Sequence, residues 1–129
     1  MSDQLAKATG GCHCGAVRFS IATVQDSEML QCNCSMCSRF GYLHLFVLHE
    51  NFELQSGKDA LTSYRFGSKN ADHLFCKICG VKSFYQPRSH PESYSVNFSC
   101  LDQGHSIRAS ITPFDGQNWD KSAAAKGLG

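Results

Sequence analysis

Residues 16–21 alternate, with Val17, Phe19 and Ile21 on one face and Arg18 and Ser20 on the other. A period of two of this kind predicts a strand with one face in the core. Residues 29–32 predict a second strand. Residues 43–48 are almost continuously apolar, interrupted only by His44, which predicts a strand covered on both faces. Further short strands are expected over 52–55, 61–66, 81–85 and 94–98, set apart by Gly57, Gly67 and the proline-bounded loop 87–91. Short strands at such regular spacing predict a mainly β fold with antiparallel sheets. Residues 1–9 read as a frayed start, Gly10-Gly11 as a flexible turn and Gly15 as its close. The helix candidate is 115–125, with Asp115 as N-cap and Ala123, Ala124 and Ala125 favouring helix.

A chain of 129 residues with 42% hydrophobic and 18% charged content suits one folded domain over 1–129, its core about 10–120. A formal net charge of +1 argues against a nucleic-acid surface. Met1-Ser2-Asp3-Gln4-Leu5 lacks the basic start and apolar run of a secretory signal. No apolar stretch approaches the roughly 18 residues needed to span a bilayer. A cytoplasmic protein without membrane contact is expected, and the pattern says nothing of its oligomeric state. In a reducing compartment eight cysteines read as metal ligands rather than disulfides.

The cysteines fall into groups. Cys12-His13-Cys14 is followed by Cys32-Asn33-Cys34-Ser35-Met36-Cys37, then by Cys76-Lys77-Ile78-Cys79-Gly80 and a lone Cys100. Two cysteines spaced by two residues reach one metal from a tight turn, and a following glycine lets the backbone curl around the sulfurs. Cys12, Cys14, Cys76 and Cys79 together make a closed four-sulfur site. Cys32, Cys34 and Cys37 then leave a second metal with an open fourth position, the mark of a catalytic site. Another partition puts Cys34 and Cys37 with Cys76 and Cys79 in a zinc ribbon. A third closes the triplet with Cys100 into a purely structural site. Cys100 alone reads as a small buried hydrophobe.

Three thiolates make a poor activator of water but a soft site that favours a further sulfur ligand. A thiol arriving there loses its proton to metal coordination and becomes a nucleophile for a small electrophile such as an aldehyde. The triplet therefore points to thiol chemistry. The rival expectation is a non-catalytic zinc-stabilised module, a glutathione carrier or protein-interaction adaptor, which binds without turnover.

Gly11-Cys12-His13-Cys14-Gly15, the Cys32 to Cys37 triplet and His73-Leu74-Phe75-Cys76-Lys77-Ile78-Cys79-Gly80-Val81-Lys82-Ser83-Phe84-Tyr85 together resemble the glutathione-dependent formaldehyde-activating enzyme family. The match is most similar to its centromere protein V-like branch, through Asn97, Cys100-Leu101-Asp102 and Phe114-Asp115-Gly116-Gln117-Asn118-Trp119. The resemblance implies a β-tent fold and two zinc ions. It implies structural zinc on Cys12, Cys14, Cys76 and Cys79, and catalytic zinc on Cys32, Cys34 and Cys37. It further implies a carbon–sulfur lyase that joins glutathione to formaldehyde as S-(hydroxymethyl)glutathione. The chromatin association for which that branch is named is not carried over, and no nucleic-acid partner is expected.

Two further residues are candidates for moving protons near the open position. His73 precedes the knuckle, and Asp102 could serve as base or ligand orienter. His44 reads as core, His13 points away from its cysteine neighbours in an extended segment, and His49, His90 and His105 read as surface. Arg39, Lys69 and Arg88 read as solvated, with Arg39 the one placed beside the triplet to meet a substrate carboxylate.

Overall fold

The computed structural model describes residues 5–33, 36–65 and 71–115. Ten strands are seen there. The first five are β1 (Leu5–Gly11), β2 (Arg18–Val24), β3 (Asp26–Cys32), β4 (Leu43–Leu48) and β5 (Phe52–Ser56). The others are β6 (Leu61–Tyr64), β7 (His73–Cys76), β8 (Phe84–Tyr85), β9 (Ser93–Asn97) and β10 (Arg108–Phe114), and one helical turn, α1 (Cys37–Phe40), follows β3. They form three sheets in the orders β1-β2-β5, β10-β3-β4-β9-β8 and β6-β7. Every pairing is antiparallel except β10 with β3, which runs parallel with Phe114 opposite Cys32.

The expected period of two in β2 is met. Val17, Phe19 and Ile21 are buried while Arg18 and Ser20 are half-buried. Their side chains join Leu45 and Val47 of β4, Phe84 of β8 and Val96 of β9 in one core where the two larger sheets meet. Aromatic rings close it. Phe52 lies 5.2 Å from Phe19, 4.6 Å from Phe84 and 4.6 Å from Tyr94, centroid to centroid. β4 is covered on both faces, as its apolar run implies. Leu45 and Val47 face this core, and by strand alternation His44 and Phe46 face the other side.

Three expectations are corrected. Residues 5–11 are not a frayed start with a glycine turn but strand β1, paired along its length with β2. The two glycines are there for close approach. A β-carbon on Gly10 would sit 2.6 Å from the Cys100 carbonyl oxygen, and one on Gly11 would sit 2.0 Å from that of Val17. Strand β7 precedes the knuckle where no strand was expected, and β10 adds a parallel edge to a sheet expected to be antiparallel. The predicted helix over 115–125 lies, beyond Asp115, outside the described residues. Among the described residues no helix is long and apolar enough to cross a membrane.

Gly57 and Gly104 both have φ of +93°, but their surroundings differ. A β-carbon at Gly104 meets nothing within 4 Å, whereas one at Gly57 meets the Ala16 carbonyl oxygen at 2.3 Å. Gly104→Ala is therefore expected to cost about 1 kcal/mol for the left-handed backbone alone. Gly57→Ala adds an immovable backbone collision and is expected to cost about 3 kcal/mol. Urea unfolding of the two variants checks this, and equal losses would contradict it.

Candidate metal centre

Cys12 and Cys14 lie in the connection from β1 to β2, and Cys76 ends β7 with Cys79 in the turn beyond. Each pair is followed by a glycine in the left-handed region, Gly15 at φ +85° and Gly80 at φ +79°. The Gly80 amide closes the second turn by donating to the Cys76 carbonyl at 2.8 Å. The residue before β6 fixes the base of that turn, since the Lys77 amide donates to the Ala60 carbonyl at 2.8 Å. The four sulfurs all lie within 4.8 Å of one another. Cys12 Sγ is 3.6 Å from Cys14 Sγ, which is 3.7 Å from Cys76 Sγ. A tetrahedron with zinc–sulfur bonds of ~2.3 Å has edges of about 3.8 Å. The donor set therefore fits a metal ion of zinc's size.

The backbone is also arranged for thiolates. Val17 donates its amide to Cys12 Sγ at 3.3 Å and Ile78 donates to Cys76 Sγ at 3.4 Å. Amides of Cys14 and Val81 bring the Cys79 thiol down to about 6. Cys14 goes the other way. The Ala16 amide favours its thiolate, yet burial and the sulfurs of Cys12, Cys76 and Cys79 push it up to about 11. Sulfurs this close repel each other's charge, so they cannot all ionise alone. A divalent cation removes that conflict. This arrangement brings the first and last cysteine pairs together, as in the closed four-sulfur site expected from their spacing. Cys100 stands apart, its thiol pushed up to about 11 by burial.

Of the triplet, Cys32 ends β3 half-buried and Cys37 opens α1 fully buried. Cys34 lies outside the described residues. Cys37 Sγ is 3.2 Å from His44 Nε2. His44 Nδ1 is in turn 2.8 Å from Ser95 Oγ and 3.3 Å from Tyr85 Oη. Tyr42 donates its hydroxyl to the Ser95 carbonyl at 2.7 Å, and burial holds its phenol well above its usual range. Lys82, also buried, places Nζ 2.6 Å from His73 Nδ1 and 3.8 Å above the Tyr85 ring. His73 stacks on the same ring, with centroids 4.7 Å apart. These groups form a buried polar layer on the face of the five-stranded sheet turned away from the apolar core.

The sequence points to Cys37 and His73 but not to the other members of this layer. His44 was read as core, and Tyr42, Lys82, Tyr85 and Ser95 were given no role. The available signal was a histidine and a lysine inside otherwise apolar runs that turn out to be buried. Asp102 is placed elsewhere. Both its oxygens are bonded by Arg18, and Oδ2 accepts from Thr9 Oγ1 at 2.5 Å. Arg18 first, then Thr9, hold its carboxyl down to about 2. His49 bonds Gln86, His90 stacks on Phe46 at 3.8 Å and His105 packs edge-on to Phe98. His13 and Arg39 are exposed.

The family model described as glutathione-dependent formaldehyde-activating enzyme matches residues 7–117. The crystal structure of a Rhodobacter sphaeroides protein is similar at a TM-score of 0.68 and 32% sequence identity, covering 81% of this chain and 99% of its own.

Replacing one sulfur of the four-cysteine cluster, as in Cys79→Ser, is expected to remove one equivalent of tightly bound zinc. It is also expected to cost several kcal/mol of stability, because metal binding and folding are coupled. Metal analysis with chelator competition measures both. The Asp102 carboxyl sits below its usual value of 3.8, so its contribution is present above about pH 4 and lost as pH falls through about 2. Its side chain is 44% exposed, so that contribution is at most about 1 kcal/mol. In Arg18→Ala its titration, followed by NMR, is expected to move up toward the usual carboxylate range.

Proposed function

The chain belongs to the glutathione-dependent formaldehyde-activating enzyme family, and on that premise we propose that it adds a thiol, first of all glutathione, to formaldehyde or a related small electrophile. The product with glutathione is S-(hydroxymethyl)glutathione, and the enzyme is a carbon–sulfur lyase. Within the family we assign it to the centromere protein V-like branch, on Asn97, Cys100, Leu101, Asp102 and the motif from Phe114 to Trp119. We further propose one zinc-binding domain over 1–129 in the cytoplasm, without nucleic-acid or membrane partners.

The observation that carries this reading is the place of Cys37. The four-cysteine cluster is complete without the triplet, and Cys37 sits instead against a buried layer of imidazole, phenol and amine groups. Titratable groups gathered and desolvated beside a thiol are the setting in which reactive side chains are tuned. We assign Cys12, Cys14, Cys76 and Cys79 to a structural zinc and Cys32, Cys34 and Cys37 to a catalytic one. Bound by the triplet, zinc supplies the positive charge that keeps an incoming thiol ionised.

The residues of the chain supply the rest. The sulfur attacks the carbonyl carbon, a carbon–sulfur bond forms and the carbonyl electron pair moves to oxygen. That oxygen takes a proton from Lys82 Nζ, which His73 Nδ1 holds in place, and the proton given up by the thiol returns to Lys82. His73 is thus kept as a participant from the sequence reading. Asp102, clamped by Arg18, is assigned to structure rather than proton transfer.

Exchange spectroscopy on glutathione and formaldehyde separates enzyme from background. Wild type is expected to speed formation of the adduct, and Cys34→Ala and Cys37→Ala to fall back to the uncatalysed rate. Binding of glutathione with no gain in exchange rate would favour the carrier or adaptor instead.

A further inference from the structure

His44 occupies a position that the proposed reaction does not use, although it touches the triplet directly. It sits on β4 between two neighbours, opposite Leu30 of β3 and Asn97 of β9, so its backbone is fixed from both sides. Its ring is 3% exposed as a residue and lies among Tyr42, Phe46 and Tyr85 at centroid distances of 4.5, 5.9 and 5.7 Å. An imidazole so enclosed cannot swing between partners.

Its two nitrogens face different chemistry. Nδ1 is met by two hydroxyls, Ser95 Oγ at 2.8 Å and Tyr85 Oη at 3.3 Å. Either hydroxyl can donate or accept, so Nδ1 is served in both tautomers. The other end decides, because an ionised sulfur only accepts, and the tautomer that serves both ends carries its proton on Nε2. That proton points at Cys37 Sγ, 3.2 Å away.

We infer that His44 is a positioning residue, donating Nε2–H to the Cys37 sulfur while its Nδ1 accepts from the hydroxyls of Ser95 and Tyr85. The bond fixes the direction of the sulfur lone pairs. It also draws electron density from the thiolate, so a metal bound there stays more positive than three bare thiolates would leave it. Groups of this kind, one shell beyond the ligands, commonly change metal affinity or activity by ~10–100-fold. The inference rests on the proposed role of Cys37 as an ionised metal ligand, whereas the 3.2 Å contact itself does not.

Two readouts test it. Nitrogen-15 NMR of the imidazoles in the zinc-loaded protein is expected to show His44 neutral with its proton on Nε2. A proton on Nδ1 would overturn the inference. In the cobalt-loaded protein, His44→Leu is expected to shift the sulfur-to-cobalt charge-transfer bands to longer wavelength. His44→Gln, which keeps an N–H near the Nε2 position, is expected to return them toward wild type. The four-cysteine cluster is common to all three proteins and cancels in difference spectra. Unchanged bands in His44→Leu would overturn the inference, as would loss of a cobalt equivalent in both variants, which would make His44 a ligand. Wild type that takes up a single cobalt would instead remove the triplet metal of the proposed function, and the tautomer would still decide the Cys37 contact.

Discussion

Four sulfurs held within 4.8 Å of one another form the constraint on which the rest of the molecule depends. Cys14 and Cys76 are 62 positions apart in the chain, and their contact ties the β1–β2 connection to the end of β7. Closing a loop of that length by packing alone carries an entropic cost of several kcal/mol. A bound cation offsets it and also resolves the repulsion among neighbouring thiolates. The two-stranded β6–β7 sheet is too small to be stable alone. It is held in place by this junction, by the backbone hydrogen bonds exchanged between Asp72 and Gln86 and by the stacking of His73 on Tyr85.

From that junction the architecture separates two environments across one strand. β4 shows Leu45 and Val47 to an apolar core and His44 to a layer of buried polar groups. Each polar member described there is partnered: imidazole with hydroxyl and sulfur, amine with imidazole, phenol with carbonyl. Fully satisfied networks of this sort specify one arrangement of side chains rather than several. The chemistry assigned to Cys37 is thus supported by the same sheet that builds the core, which keeps the site on rigid elements.

Much of this could be read from residue order. The alternation of Val17, Phe19 and Ile21 located β2, the apolar run 43–48 matched β4 to the residue, and the CxC and CxxC spacings marked the four sulfurs that gather within 4.8 Å of one another. What could not be read is whatever depends on distant partners. Gly10 and Gly11 look like a turn until the carbonyls of Cys100 and Val17 are seen pressed against them. β10 carries a proline and an exposed Ile111, and it is a strand because β3 offers it an edge. His44 is a core residue by its neighbours in sequence. It becomes a functional candidate only through Ser95 and Tyr85, 51 and 41 positions away.

The parallel pairing of β10 with β3 carries one further consequence. It sets Phe114 beside Cys32, and the ladder continues past the strand, with the Asn33 amide on the Phe114 carbonyl and the Asn33 side chain on Asp115. The thiol-bearing loop is therefore flanked by a ribbon from the far end of the fold, lying at the border of its sheet. Fraying of that border would unseat Cys32 first, while the four-sulfur knot stays tied. The seating of Cys32 and the integrity of the scaffold can thus be lost separately, and in that order.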